Sequence, residues 1–240
     1  MTPNKRPQTV GTIVKRELGA YFHGPVVYVV GVLFNATAAV LFFSVFFLYN
    51  RAELRRFFEL LPILYAVAIP ILALRQIVGE RQSGMYEVLL TLPIKPTDLV
   101  VGKFLALWIT SVLLLVPSVI FAAIVFLMGP LDIGAAMAGY VGSILLAGAL
   151  SGVAIMASTF STSIAVSFGI GLVISVALAS LEAFTPLLPP GVGRVFQNFS
   201  TAYQMADFGR GIVDLRSVLY FIGVALTGIA IARHTIRTGR

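Results

Sequence analysis

Hydrolytic chemistry inside a membrane needs paired carboxylates, a histidine cluster or a histidine–glutamate motif, each of which sets a proton acceptor beside a water or a metal. None of those sets occurs in the apolar runs of this sequence. Its two histidines, His23 and His234, lie near opposite ends of the chain, and cysteine is absent, which removes disulfides and thiolate metal sites. Nucleotide hydrolysis would need G-x-x-x-x-G-K-[ST], whose backbone cradles phosphates. The nearest approach, GPLDIGAA at Gly129 to Ala136, has the glycines but neither lysine nor hydroxyl. The chain is expected to be no enzyme and to carry no catalytic, cofactor-binding or metal-ligating residue. ATP would have to be handled elsewhere.

What does carry polar content is GERQSGMYEVLLTLPIKPTDLV, residues 79–100. Ser83-Gly84 can cap a helix, Glu87 is favourable in its first turn, and Pro93 closes it after about two and a half turns. Met85, Val88, Leu89 and Leu92 recur at i, i+3, i+4, i+7, so one face is apolar on a helix too short to stand alone. Such a helix needs a partner surface. Lipid head groups are one option, but Glu80 and Glu87 would then sit beside an anionic leaflet, with no Lys or Arg between Arg81 and Lys95. Docking on a protein accounts better for the pattern. Pro96 and Thr97 start the next helix, with Thr97 as N-cap and Asp98 in the first turn.

The elements that hold this stretch follow from composition. Hydrophobic residues make up 58% of the 240 and charged residues 11%, too little polar surface to cover a water-soluble core of this length. An all-α integral membrane protein is expected, a single domain over 1–240. Crossing about 30 Å of hydrocarbon at 1.5 Å per residue takes roughly 20 residues. Six runs qualify: Val26 to Leu48; Leu60 to Leu74, with Pro62 and Pro70 inside and Glu59 and Arg75 snorkelling at its ends; Leu99 to Met128, with Lys103 and Trp108 near its start and a kink at Pro117; two spans within Ile133 to Leu181; and Val218 to Ala232. The 49 residues from Ile133 to Leu181 contain no charge, and Ser158-Thr159-Phe160-Ser161-Thr162-Ser163 is the place to turn. Ala36-Thr37-Ala38 mimics a signal cleavage site, but the apolar run continues past it, so an uncleaved span is expected.

With the N-terminus inside, 11 of the 17 Lys and Arg fall on the inner side against four acids, while the six outer bases are matched by six acids. The bias places both termini in the cytoplasm and explains the basic balance without nucleic acid. Ahead of the first span, residues 8–24 read as an amphipathic helix lying flat on the cytoplasmic face. Val10, Val14, Leu18 and Tyr21 form its stripe, Lys15 and Arg16 face elsewhere, and Gly24-Pro25 breaks it.

ERQSGMYEVLLTLPI resembles the loop between the second and third spans of type-2 ABC exporter permeases, where an acidic pair flanks Ser-Gly and Leu-Leu-Thr-x-Pro follows. The gliding-motility (GldF-like) branch is the nearest in pattern. KRELGAYFHGPVVYVV resembles that family's first helix, and FGRGIVDLRSVLYF its Arg-Gly-x-x-Asp-x-Arg-Asp-x-x-Tyr-Phe signature before the last span. The three pieces stand in the family's order and spacing. Ser217 departs from it where Asp is frequent. The resemblance implies six spans, pairing with a second copy or a sister permease in a bacterial inner membrane, and two cytoplasmic ATPase subunits that bind the ATP and Mg. It makes the 79–98 loop a coupling element. Glu80, Gly84, Glu87, Leu90, Thr91 and Pro93 match the motif, and Met85, Val88, Leu89 and Leu92 supply the buried face. Arg210, Gly211, Asp214 and Arg216 match the external signature.

Elsewhere, Asn35 is the one clear amide inside a span and reads as an interhelical hydrogen-bond partner, with Glu182 a boundary residue at the outer end of span five. Gly134, Ala138, Gly142, Gly148 and Gly152 on span four allow close packing within the subunit or a dimer seam. TPLLPPGVG opens an external loop, 183–215, in which Val192, Val195, Phe196, Phe199 and Tyr203 mark an amphipathic helix over the outer mouth. Arg210, Asp214 and Arg216 lie close enough for an ion network. Three further readings remain open: an ATP-driven mechanical or assembly complex that moves no solute, an ion-coupled carrier, and a heme-exporter-like permease. The scarcity of intramembrane ionisable groups weighs against the second and the scarcity of histidine against the third.

Overall fold

The computed structural model describes residues 10–49, 53–74, 76, 79 and 96–238, and every regular element among them is helical. Six helices are long and apolar enough to cross a membrane, which makes the chain a multi-pass membrane protein. The first helix is α1 (Val10–His23), and Gly24-Pro25 ends it, since proline disfavours a helical residue before it. The spans that follow are α2 (Val26–Tyr49) and α3 (Arg55–Ala73), then α4 (Pro96–Leu113) with α5 (Val119–Met128), and finally α6 (Ile133–Ala157), α7 (Ile164–Ser180) and α10 (Leu215–Arg237). Pro117 breaks the third span as expected. A 3-10 turn at Val116–Ser118 separates α4 from α5. Asn35 of α2 donates to the Leu114 carbonyl at this break, 3.0 Å away, which is the interhelical bond expected of it.

Two boundaries differ from expectation. The second span begins at Arg55 rather than Leu60, because Arg55 and Arg56 both reach Glu59, at 2.8 and 2.9 Å, and carry the helix outward. Glu59 is paired by its own helix, so it has no need to snorkel alone. Likewise α4 begins at Pro96, which puts Thr97 inside the first turn and not at the cap.

The core sits around α6, whose Gly, Ala and Ser positions admit neighbours closely. A Cβ on Gly139 would fall 2.2 Å from the Phe58 ring, one on Gly142 2.5 Å from Phe208, and one on Gly152 2.8 Å from Ala225 of α10. Gly228 of α10 is tighter still, at 2.4 Å from the Gly152 backbone. The Gly148-to-Gly152 pair therefore serves packing within the subunit. Gly148 faces the Trp108 indole, which donates to the Ile144 carbonyl at 2.8 Å. On the other side of the bundle Phe42, Phe57 and Phe121 stack and edge against one another, joining α2, α3 and α5.

The loop after α7 contains a 3-10 segment (Leu181–Leu187) and two helices, α8 (Pro190–Phe199) and α9 (Thr201–Gly209). The single amphipathic helix expected through Tyr203 is thus divided. Ser200 caps α9 by accepting from the Tyr203 amide, and this fixes the bend. Val192, Val195 and Phe199 stay exposed on α8. Glu182, in the 3-10 segment, is exposed as expected of a boundary residue.

Candidate functional sites at the two ends of the bundle

Lys103 is the buried cation of the structure's α1 end. It lies one turn and more inside α4, is 1% exposed, and would be costly to bury without acceptors. Its Nζ donates to Glu17 Oε1 of α1 and to the Gln76 carbonyl just past α3, both at 3.1 Å. Gln76 is also buried and donates through Nε2 to the Tyr21 hydroxyl, which in turn donates to the Leu72 carbonyl at 3.2 Å. Burial pushes the Tyr21 phenol above its ordinary pKa, with the Glu17 carboxylate adding to the shift and the Gln76 bond opposing it, so the hydroxyl stays a donor.

These bonds tie three elements together. Ile13, 1% exposed, holds α1 from the other direction, seated where a Cβ on Gly102 would lie 2.6 Å away. The face of α1 that packs is therefore Ile13, Glu17 and Tyr21, rotated around the helix from the expected stripe and sharing Tyr21 with it, while Val10, Val14 and Leu18 are only half-buried. Spacing of i, i+4, i+8 could have revealed it, but a carboxylate in the middle hides the face from an apolar count. The arrangement is a mechanical joint linking α1 to the chain that leaves α3 and to the helix that receives it.

The segment expected to dock on a partner, Glu80, Gly84, Met85, Glu87, Val88, Leu89, Leu90, Thr91, Leu92 and Pro93, lies outside the described residues. Both of its roots are described, at Gln76 and at Pro96 to Asp98, and Asp98 occupies the first turn of α4 as expected.

At the opposite end, the structure gives Arg210, Gly211, Asp214 and Arg216 separate tasks. Gly211 has φ 86°, a left-handed conformation that glycine adopts without strain, and a Cβ there would lie 3.1 Å from Ala135 Cα. The Asp207 carbonyl accepts from both the Arg210 and Ile212 amides, closing the turn after α9. Asp214 caps α10, its Oδ1 accepting from the Arg216 amide at 2.9 Å. Arg210 pairs with Asp207 at 3.7 Å. The ion network expected among Arg210, Asp214 and Arg216 does not form among the described residues, because the Asp214 carboxylate is committed to the backbone. Ser217 is buried and donates to Gln204 Oε1 at 2.7 Å, while Gln204 Nε2 donates to the Asn198 carbonyl at 2.9 Å. This neutral chain fixes α8, α9 and α10 together without a buried charge.

Among the described residues no three or more His, Asp or Glu side chains gather as a metal site. No protein-family model matches the chain, and no curated protein matches it either.

Proposed function

We propose that this chain is the membrane-spanning permease subunit of an ATP-binding-cassette exporter in a bacterial inner membrane, of the gliding-motility type, with both termini cytoplasmic. A separate ATPase subunit binds ATP and Mg, docks on the apolar face of residues 80–93, and drives export along a path formed with a second permease. The observation that carries the reading is the joint at the loop's roots. A polar loop between the second and third spans is anchored on both sides by buried Lys103 and by Gln76, and through Glu17 to α1. A solvated connector needs no such anchorage. A loop that receives force does, because motion reaches the spans only through contacts stiff enough to carry it.

Charge supports the orientation, through the excess of Lys and Arg on the side that carries this loop. ATP-driven closure would move the loop helices, and Lys103 would pass that displacement to α4 and α1 together. Such coupling requires a difference in contact free energy between the two states. The test is purification from native membrane in mild detergent with mass spectrometry of what copurifies. A nucleotide-binding ATPase subunit is the expected companion, and its consistent absence would overturn the reading.

A further inference from the structure

A cavity of about 270 Å³ opens at the bundle end opposite α1, between the start of α3, the start of α6 and the end of α9. Among the described residues its charged lining is Glu53, Arg55, Asp132 and Arg210, with Leu131 and Ala136 beside them. The turn at Gly211 presses against Ala135 and so sets the wall from which Arg210 projects. Each guanidinium is ion-paired to a neighbouring carboxylate and Asp132 caps α6, yet each keeps hydrogen-bonding atoms to offer a ligand. Arg55 spends only Nε, on Glu59, and Arg210 stands 3.7 Å from Asp207, beyond hydrogen-bond length. Asp132 Oδ1 accepts from the Ala135 amide at 3.1 Å, and Glu53 is exposed.

We propose that this cavity binds an ammonium–phosphate zwitterion, the chemistry of a phosphatidylethanolamine head group. A simple anion would be drawn to Arg55 and Arg210 but meet Glu53 and Asp132, and a simple cation would face the reverse. A zwitterion answers both pairs, with phosphate on the guanidinium N–H groups and ammonium on the carboxylates. Depth agrees with a lipid source. The cavity lies at the ends of two membrane-crossing helices, α3 and α6, where head groups sit, and Ile133 and Met137 of α6, 60% and 65% exposed, offer an apolar path for acyl chains. The inference needs only the spanning fold and stands apart from the ATPase reading.

Native mass spectrometry of the full delipidated chain, titrated with phosphatidylethanolamine, phosphatidylcholine and phosphatidylglycerol of equal acyl length, tests it. Phosphatidylethanolamine should be retained about tenfold better than the other two, one charge-assisted hydrogen bond's worth. The trimethylated choline ammonium has no N–H to offer a carboxylate, and glycerol has no charge. Arg210→Gln should lower phosphatidylethanolamine retention about tenfold. Glu53→Gln should lower it to the phosphatidylcholine level without lowering phosphatidylglycerol, which loses a repelling carboxylate, and phosphatidylglycerol retention also shows that the variant is folded. Soluble phosphoethanolamine separates the sources. Displacement of the lipid only at large excess marks a lipid site, whereas equal affinity for the soluble head group marks a free zwitterion as ligand. Equal retention of all three lipids, or retention unaffected by both substitutions, would overturn the assignment.

Discussion

At the scale of single residues, the consequential side chain is Lys103. A buried ammonium is tolerated because Glu17 and the Gln76 carbonyl accept from it, and replacing the Glu17 carboxylate, bonded at 3.1 Å, by a cation costs about 3 kcal/mol. Glu17→Lys should therefore detach α1, so that its amides exchange about a hundredfold faster. Lys15→Glu, on the exposed face of the same helix, should change exchange little. Equal behaviour of the two variants would remove the joint from the account. The sequence shows Lys103 and Glu17 as charges near one membrane face, and their placement on one side was legible. Their pairing was not, since it depends on the crossing of α1 over α4 at Gly102, a tertiary event with no local signal.

At the scale of elements, α6 and α10 meet backbone to backbone at Gly152 and Gly228. Gly228→Ala places a Cβ within 2.4 Å of a main-chain carbon, and because backbone cannot yield as a side-chain tip does, the loss should be about 2 kcal/mol. Gly223→Ala, on the same helix with nothing within 4 Å of its Cβ, should be neutral or slightly stabilising. Thermal unfolding in detergent compares the two. Glycine spacing on α6 announced close packing, and the partners are α3, α4, α9 and, at Gly152, α10 of the same chain. Span count, the Pro117 break and the Ser158-to-Ser163 turn were likewise readable, because lipid demands long apolar runs and leaves polar residues to mark their ends. The outer helices were not separable from sequence: Val192 to Tyr203 keeps an unbroken helical stripe, and only the Ser200 side chain bonding the Tyr203 amide breaks it.

At the scale of the whole molecule, the six spans and the polar loops between them are consequences of composition, whereas the partners are a matter of which loop has a surface to bury. Residues 80–93 have that surface by periodicity, and the joint at Gln76, Lys103 and Glu17 supplies the stiffness that a force-bearing loop requires. Arg210 and Gly211 belong to the opposite end and shape a cavity there, so the proposed docking loop and the proposed lipid site are rooted at opposite ends of the same bundle. The most direct test of the account is copurification of the Glu87→Lys, Leu89→Asp double variant from native membrane. The prediction is that the permease inserts at its normal level while the ATPase subunit is lost from the purified complex. An ATPase retained at the wild-type level would contradict the assignment of this loop as the docking element.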